Sequence, residues 1–273
     1  MNSLEKAERF AALHIKGSPL VLYNAWDAGS AKAVCDAGAP AIATSSWAVA
    51  AAHGYTDGEK IPMHLVEQII ARIVATTDIP VTVDFEGGYS DDDDDTLTGN
   101  VARLLDLGVI GINFEDRVVS GNGLYSVERQ SRRIEAIRKM ADKRGVPLFI
   151  NARTDLFLGA GASDDLSALL EAATRGVAYA QAGASGFFVP GLRSDALIGE
   201  LCRASALPVN VMVTEGLPSA SRLAELGVAR ISYGPAPFIE AIEKLKAAAG
   251  AVCAQNKQRS KQARCRTSMV TPT

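Results

Sequence analysis

Residues 81–89 read Val81-Thr82-Val83-Asp84-Phe85-Glu86-Gly87-Gly88-Tyr89, an apolar β-branched run that ends in two carboxylates and a glycine pair. The run predicts a buried strand over Val81–Glu86. Residues two apart on a strand share a face, so Asp84 and Glu86 stand side by side. Two adjacent anions repel unless a proton or a cation lies between them, which makes the pair candidate metal ligands. From this stretch alone, a solvated strand end followed by turn glycines reads equally well.

The same kind of run recurs. Strands are predicted over Pro19–Asn24, Ala41–Ser46, Val81–Glu86, Gly111–Asp116, Leu148–Arg153, Gly186–Pro190, Val209–Val213 and Arg230–Tyr233. Stretches with helical spacing lie between them, among them Met63–Thr76, Leu97–Leu107, Val127–Lys143 and Ala168–Gln181. Strand and helix in alternation mean parallel pairing through crossovers. The odd runs follow Pro19, Pro80, Pro147 and Pro208, whereas the even runs follow Gly38, Gly108, Gly183 and Gly227. Glycine suits a left-handed helix end, and proline suits a strand's first residue. This regularity predicts an α/β fold, a single (β/α)8 TIM-type barrel with its chemistry at the C-terminal ends of the strands. The barrel is expected over residues 1–249. A basic tail, 250–273, follows, partly helical or disordered, with Lys257, Arg259, Lys261, Arg264 and Arg266 and no acid.

Composition removes other classes. At 273 residues with 48% hydrophobic and 22% charged, the chain reads as globular. A net charge of −3 carries no signature of nucleic-acid binding. Cys35, Cys202, Cys253 and Cys265 are too scattered for a zinc site or a disulfide framework, so a reducing cytoplasm is the expected location. Met1–Gly17 has no apolar core of a signal sequence, and no run is long enough to span a membrane.

The strand ends are polar: Asn24 and Asp27, Ser45 and Ser46, Asp84 and Glu86, Glu115 and Asp116, Asn151, Arg153 and Asp155, Asn210 and Thr214, and Ser232. Carboxylates brought from the third and fourth strands into one cavity are costly without a cation, which favours the metal reading. The five acids Asp91–Asp95 precede a helix and read as solvated charge at its N-terminus. His53 lies in the loop after the second strand and is a candidate proton carrier under a closing lid, or a surface histidine. Trp26 and Trp47 fall at strand ends, as pocket wall or as core.

Val83–Tyr89, Asn113-Phe114-Glu115-Asp116-Arg117, Asn151-Ala152-Arg153-Thr154-Asp155 and Asn24-Ala25-Trp26-Asp27 together resemble the isocitrate lyase/phosphoenolpyruvate mutase superfamily, and within it the mutase-like branch. The resemblance implies a Mg²⁺ barrel (Mn²⁺ as the alternative ion), a homo-oligomer such as a dimer or tetramer, and a C-terminal helix exchanged between subunits. It implies Asp84 as the direct metal ligand, with Glu86, Glu115 and Asp57 holding the ion's waters. It also implies that Ser45, Ser46, Arg153 and Asn210 contact a small carboxylate substrate. Asn122 is a shifted match to a residue of the gating loop. Trp26 is a candidate substrate-contacting wall by its place at a strand end, and Asp57, Ser45 and Arg153 are the catalytic candidates.

The departures are as informative. Lyase members carry a Lys-Lys/Arg-Cys-Gly-His segment after the fourth strand, whereas Arg117–Tyr125 here has no cysteine, lysine or histidine. Val189-Pro190-Gly191 stands where some mutases place a histidine. The expected activity is therefore Mg²⁺-dependent cleavage of a C–C bond beside the carbonyl of a 2-oxo or 2-hydroxy acid, by oxaloacetate-like decarboxylation, which needs no protein acid to release its product. Phosphonopyruvate hydrolase or mutase chemistry and a non-catalytic metabolite-binding barrel are the alternatives.

Overall fold

The computed structural model describes residues 1–90, 93–159 and 165–267, with side chains of the last helix described to residue 254. Helix α1 (Ser3–Ala12) precedes β1 (Leu20–Leu22), and α2 (Ala28–Asp36) follows it. Strand β2 (Ile42–Ala43) leads into α3 (Ser46–Ala52) and α4 (Met63–Ala75). Then come β3 (Val81–Asp84) and α5 (Asp94–Asp106), β4 (Gly111–Glu115) and α6 (Val127–Lys143), and β5 (Phe149–Arg153) and α7 (Leu166–Gln181). The last units are β6 (Gly186–Phe188) and α8 (Asp195–Ala204), β7 (Val209–Met212) and α9 (Ala220–Glu225), and β8 (Arg230–Ser232) and α10 (Ala236–Thr267).

Every strand pair is parallel, in the order β1-β8-β7-β6-β5-β4-β3-β2. The ring closes between β1 and β2 through the bridge from Ala25 to Thr44, with Ala25 N donating to Ala43 O at 2.8 Å. Asn24 reinforces this seam. Its amide donates to Thr44 O (2.7 Å), and its Oδ1 accepts from the backbone N–H of Tyr233 and Gly234 (3.0 and 2.9 Å). The expected (β/α)8 barrel is thus the observed one.

The alternate glycines work as their positions predict. Gly38, Gly108, Gly183 and Gly227 have φ of +93°, +92°, +100° and +92°. In each case two backbone bonds of the Schellman type close the helix, as in Gly108 N to Leu105 O and Val109 N to Leu104 O.

Two apolar regions hold the barrel. The larger lies between strands and helices, with residues such as Ile42, Val83, Ile112, Phe187 and Val211 buried. The smaller fills the barrel's N-terminal end, where Leu20, Leu22, Ala41, Ala43 and Phe149 meet Ala7 and Phe10 of α1. His14 stacks on Phe149 with ring centroids 4.1 Å apart, so the segment after α1 also plugs this end. Above the plug the interior turns polar, because the register aligns Asp84 with Asn113, Asn113 with Asn151, and Asn210 with Arg230.

Seven strands end one to three residues earlier than their apolar runs, among them β3, β4 and β7, which stop short of Glu86, Asp116 and Val213, whereas β5 ends at Arg153 as expected. The loop expected after the second strand begins instead with the helix α3 (Ser46–Ala52). The chain separates into Met1–Pro235, which contains the barrel, and a second unit from Ala236. In that unit α10 continues helical to Thr267, through the basic stretch, with the ion pair Lys244–Glu240 at 2.6 Å. Asp91 and Asp92 lie outside the described residues, whereas Asp93 caps α5 as expected of acids at a helix start. No helix among the described residues is long and apolar enough to cross a membrane.

Candidate active site

Asp84 ends β3 and points up into the barrel mouth. Its Oδ2 accepts from both the backbone N–H (3.0 Å) and the hydroxyl (2.8 Å) of Ser46, and its Oδ1 accepts from the Asn113 amide at 3.3 Å. Ser45 caps α3, and Thr44 Oγ1 accepts the Asp84 backbone N–H at 3.0 Å. Three consecutive residues after β2 therefore fix the carboxylate and the start of the helix beside it.

Glu86 turns away from Asp84. Its Oε2 accepts from the N–H groups of Gly58 and Glu59, both at 2.9 Å, and the Glu59 carboxylate in turn accepts Tyr89 N–H at 2.7 Å. Among the described residues the non-glycine positions with positive φ are Glu59 (57°), Glu86 (49°) and Tyr89 (55°), and all three belong to this double clasp. Each such residue costs about 1–2 kcal/mol, which its hydrogen bonds offset. Arg133 supports the clasp from below. Buried between the rings of Phe114 and Tyr125, it donates to Gly87 O (2.5 Å) and Ser90 O (2.7 Å).

Arg153 ends β5. Its Nε and Nη2 are forked onto Asp155 at 2.6 and 2.9 Å, while Nη1 lies 3.0 Å from Glu115 and 3.8 Å from Asp84. Burial alone would lower its pKa, but the carboxylates of Glu115, Asp155 and Asp84 hold it well above the ordinary guanidinium value. Asp116, beside Glu115, is fully buried and braces this corner, accepting from Asp155 N–H (3.1 Å), Tyr179 Oη (2.9 Å) and Arg175 (3.1 Å).

A cavity of about 170 Å³ opens at the barrel mouth. One side is polar, with Ser45, Ser46, Asp57, Asp84, Asn113 and Arg153, and the other is walled by Trp47, Leu158, Phe188, Met212 and Pro235. Of the residues singled out from sequence, Ser45, Ser46, Asp57, Asp84 and Arg153 meet here, together with Trp47 and the strand-end residues Asn24 and Ser232. Glu115 is buried behind Arg153, and Glu86 lines a narrower neighbouring pocket with Asp84. Asn210 lies one layer deeper, where its Oδ1 accepts from Asn151 (3.0 Å) and its amide donates to Arg230 O (3.1 Å). Trp26 packs against the core outside the cavity, because its backbone already turns into α2 through the Ser30 hydroxyl. Asn122 is exposed on the hairpin that pairs Arg117 with Leu124 and does not line the cavity. His53, at the C-terminal cap of α3, does not line it either, since its Nδ1 lies 2.9 Å from Val49 O. Asn113 and the apolar wall were not singled out from sequence as one surface; the strand period, which puts Asn113 on the face of Glu115, was the available signal.

The donor set fits a hard divalent cation. Burial, and then the charges of Asp57, Asp84 and Glu59, push the Glu86 carboxyl up to about 8. Burial and Asp84 likewise raise Asp57, which sits at the cavity rim. This is an excess of negative charge with oxygen donors only. Among the described residues no three His, Cys, Asp or Glu side chains converge as a direct ligand cage.

A family model described as phosphoenolpyruvate phosphomutase matches residues 10–253. An uncharacterized protein of Mycobacterium tuberculosis (strain ATCC 25618 / H37Rv) is 36% identical over 243 residues, 89% of this chain and 88% of that one. A 2-methylisocitrate lyase of Halalkalibacterium halodurans is 30% identical over 201 residues, 70% of this chain and 61% of the lyase. A solved structure from Burkholderia cenocepacia J2315, assigned provisionally as a phosphonomutase, is 47% identical with a TM-score of 0.88, covering 92% of this chain and 99% of that chain.

Proposed function

From the premise that the chain belongs to the phosphoenolpyruvate phosphomutase family, within the isocitrate lyase/phosphoenolpyruvate mutase superfamily, we propose that it is a Mg²⁺-dependent carbon–carbon lyase acting on a small 2-oxo or 2-hydroxy carboxylate. The observation that carries this reading is the pairing of Asp84 and Arg153 in one cavity, a cation ligand beside a charged guanidinium.

Arg153 Nη1 and the Asn113 amide bind and orient the carboxylate end of the substrate, and the wall from Trp47 to Pro235 excludes water around the rest. Asp84 would hold a Mg²⁺ ion, which when bound would supply Lewis-acid stabilisation of the negative charge that develops at the substrate carbonyl. Asp57, at the rim and raised by burial, holds or delivers the proton that completes the product.

The segment Arg117–Tyr125 presents no thiol or ammonium to protonate a leaving group. Decarboxylation suits such a site best: the bond to the departing carboxylate breaks, CO₂ leaves, and the pair returns to carbon with one proton. The 47% identity to a provisional phosphonomutase supports P–C cleavage as the second reading. Pyruvate release from oxaloacetate, 2-methylisocitrate, 2,3-dimethylmalate and phosphonopyruvate, each with Mg²⁺ and with EDTA, separates the two. Turnover of phosphonopyruvate alone would replace the first reading by the second, and binding of oxalate without any turnover would reduce the protein to a metabolite-binding barrel.

A further inference from the structure

Arg230, on β8, is the charge at the centre of the barrel. It is fully buried, and the groups that hydrogen-bond to its guanidinium are neutral, with the Asp84 carboxylate the charge that acts on it: Nε donates to Ser232 Oγ and Nη2 to Asn113 Oδ1, each at 3.2 Å, while Nη1 makes no hydrogen bond among the described residues. Placing a guanidinium there costs several kcal/mol of desolvation. Stability alone would be served better by an apolar residue, so the position calls for another reason.

Asn113 supplies it. Its Oδ1 accepts from two donors below, Arg230 Nη2 (3.2 Å) and Asn151 Nδ2 (2.9 Å), and its Nδ2 donates upward to Asp84 Oδ1 (3.3 Å). An amide has one donor end and one acceptor end. Were Asn113 turned over, its N–H groups would face two other donors and its oxygen would face the Asp84 carboxylate, replacing three hydrogen bonds by three repulsive contacts. Arg230 contributes the charged member of that pair of donors. Asn151 is fixed in turn, because its Nδ2 also donates to Asn210 Oδ1 at 3.0 Å.

We infer that Arg230 is a positioning residue for the cavity above it: it locks the Asn113 amide with its N–H groups aimed at Asp84 and at a bound carboxylate. It acts through Asn113 and touches no ligand. The inference rests on the reading of the cavity as a carboxylate site, but the orientation of the amide can be measured without any ligand.

The experiment is a side-chain amide comparison by NMR on ¹⁵N-labelled full-length protein, parent against Arg230→Met and Arg230→Lys, without ligand. The Asn113 NH₂ pair is expected to exchange slowly in the parent, and to shift and exchange at least tenfold faster in both variants. The Asn24 pair, bonded to Thr44 across the β1–β2 seam, is expected to stay in place. Lysine retains the charge but cannot reach Ser232 and Asn113 together, so it serves if methionine prevents folding. An Asn113 pair unmoved in the variants, or an Asn24 pair that moves equally, overturns the inference.

A double-mutant cycle then asks whether the effect reaches the ligand. With Mg²⁺ present, Arg230→Met is expected to weaken oxalate binding about tenfold in the parent and less than twofold in an Asn113→Ala background. Equal weakening in both backgrounds would make Arg230 a general support and overturn its action through Asn113. A parent that binds no oxalate would sink the functional reading, and the amide measurement would still decide the role of Arg230.

Discussion

Arg153 is forked onto Asp155, with Nε and Nη2 at 2.6 and 2.9 Å from the two carboxylate oxygens. The forked edge of the guanidinium that best matches a carboxylate is therefore used inside the protein, and the nitrogen toward Asp84 and the cavity is Nη1, itself paired with Glu115 at 3.0 Å. Asp155 sets where that nitrogen points. Replacing Arg153 by Lys removes both the anchor and the aimed donor. Oxalate affinity in the presence of Mg²⁺ is expected to fall at least tenfold, about 1.4 kcal/mol, by calorimetry. Unchanged affinity would remove Arg153 from the site.

The acids around Glu86 make a second prediction. In metal-free protein its carboxyl is pushed up from 4.5 to about 8, mainly by burial and then by Asp57, Asp84 and Glu59. Between those values the folded protein keeps a proton that the unfolded chain has released. The stabilising contribution is thus present at low pH and is lost as pH rises through that window. Glu86→Gln is expected to flatten the decline in melting temperature between about pH 5 and 8 measured in EDTA. Mg²⁺ binding to the parent is expected to release protons below about pH 8, seen as a buffer-dependent binding heat. A Glu86→Gln variant with the parent's pH slope would show that the charge excess lies elsewhere.

His14 gives the opposite sign at the other end of the barrel. Burial, reinforced by the charge of Arg230, lowers its pKa from 6.5 to about 3. It is neutral in the folded protein, and the unfolded chain takes up a proton below 6.5. Its contribution is complete above that pH and is lost as pH falls toward 3, with a slope of up to about 1.4 kcal/mol per pH unit. His14→Phe, which keeps the stacking on Phe149, is expected to remove most of this slope in urea titrations between about pH 7 and 4. Parallel loss in both proteins would contradict the assignment.

The sequence made the barrel legible because its signals were local. Proline and glycine entrances, β-branched runs and helical spacing each act within a few residues, and α6 has the bounds its periodicity predicts. The polar strand ends likewise located Asp84, Glu115 and Arg153. What escaped depends on contacts between distant segments. The α3 segment Ser46–Ala52 is alanine and valine after Ser46 and Trp47, with no polar face to mark a helix. Glu86 looked like a partner of Asp84 from its spacing, yet a left-handed backbone at that residue sends it to Gly58 and Glu59. Arg230 read as the start of a strand, since nothing beside it in sequence shows that Asn113 lies opposite. Trp26 and Trp47 were indistinguishable from sequence, and only the turn into α2 separates them.

The glycine pair of the opening motif has a steric reason as well. Gly88 has φ of +84°, and a Cβ there would lie 2.3 Å from Leu97 Cδ1. Gly88→Ala is expected to cost at least about 2 kcal/mol and to lower the melting temperature by about 4–8 °C. Gly123 also has positive φ (+78°), but a Cβ there meets nothing within 4 Å among the described residues, so Gly123→Ala should lose only about 1 kcal/mol. Equal losses would mean that Leu97 yields freely.

The central claim is that Asp84 holds the divalent cation on which turnover depends. The most direct test is the initial rate of oxaloacetate consumption at fixed Mg²⁺, corrected for the non-enzymatic rate, for the parent and for Asp84→Ala of matched fold. The account expects saturable turnover by the parent that EDTA abolishes and that falls at least a thousandfold, about 4 kcal/mol, in Asp84→Ala. Turnover by Asp84→Ala at the parent's rate and with the parent's Mg²⁺ dependence would contradict it.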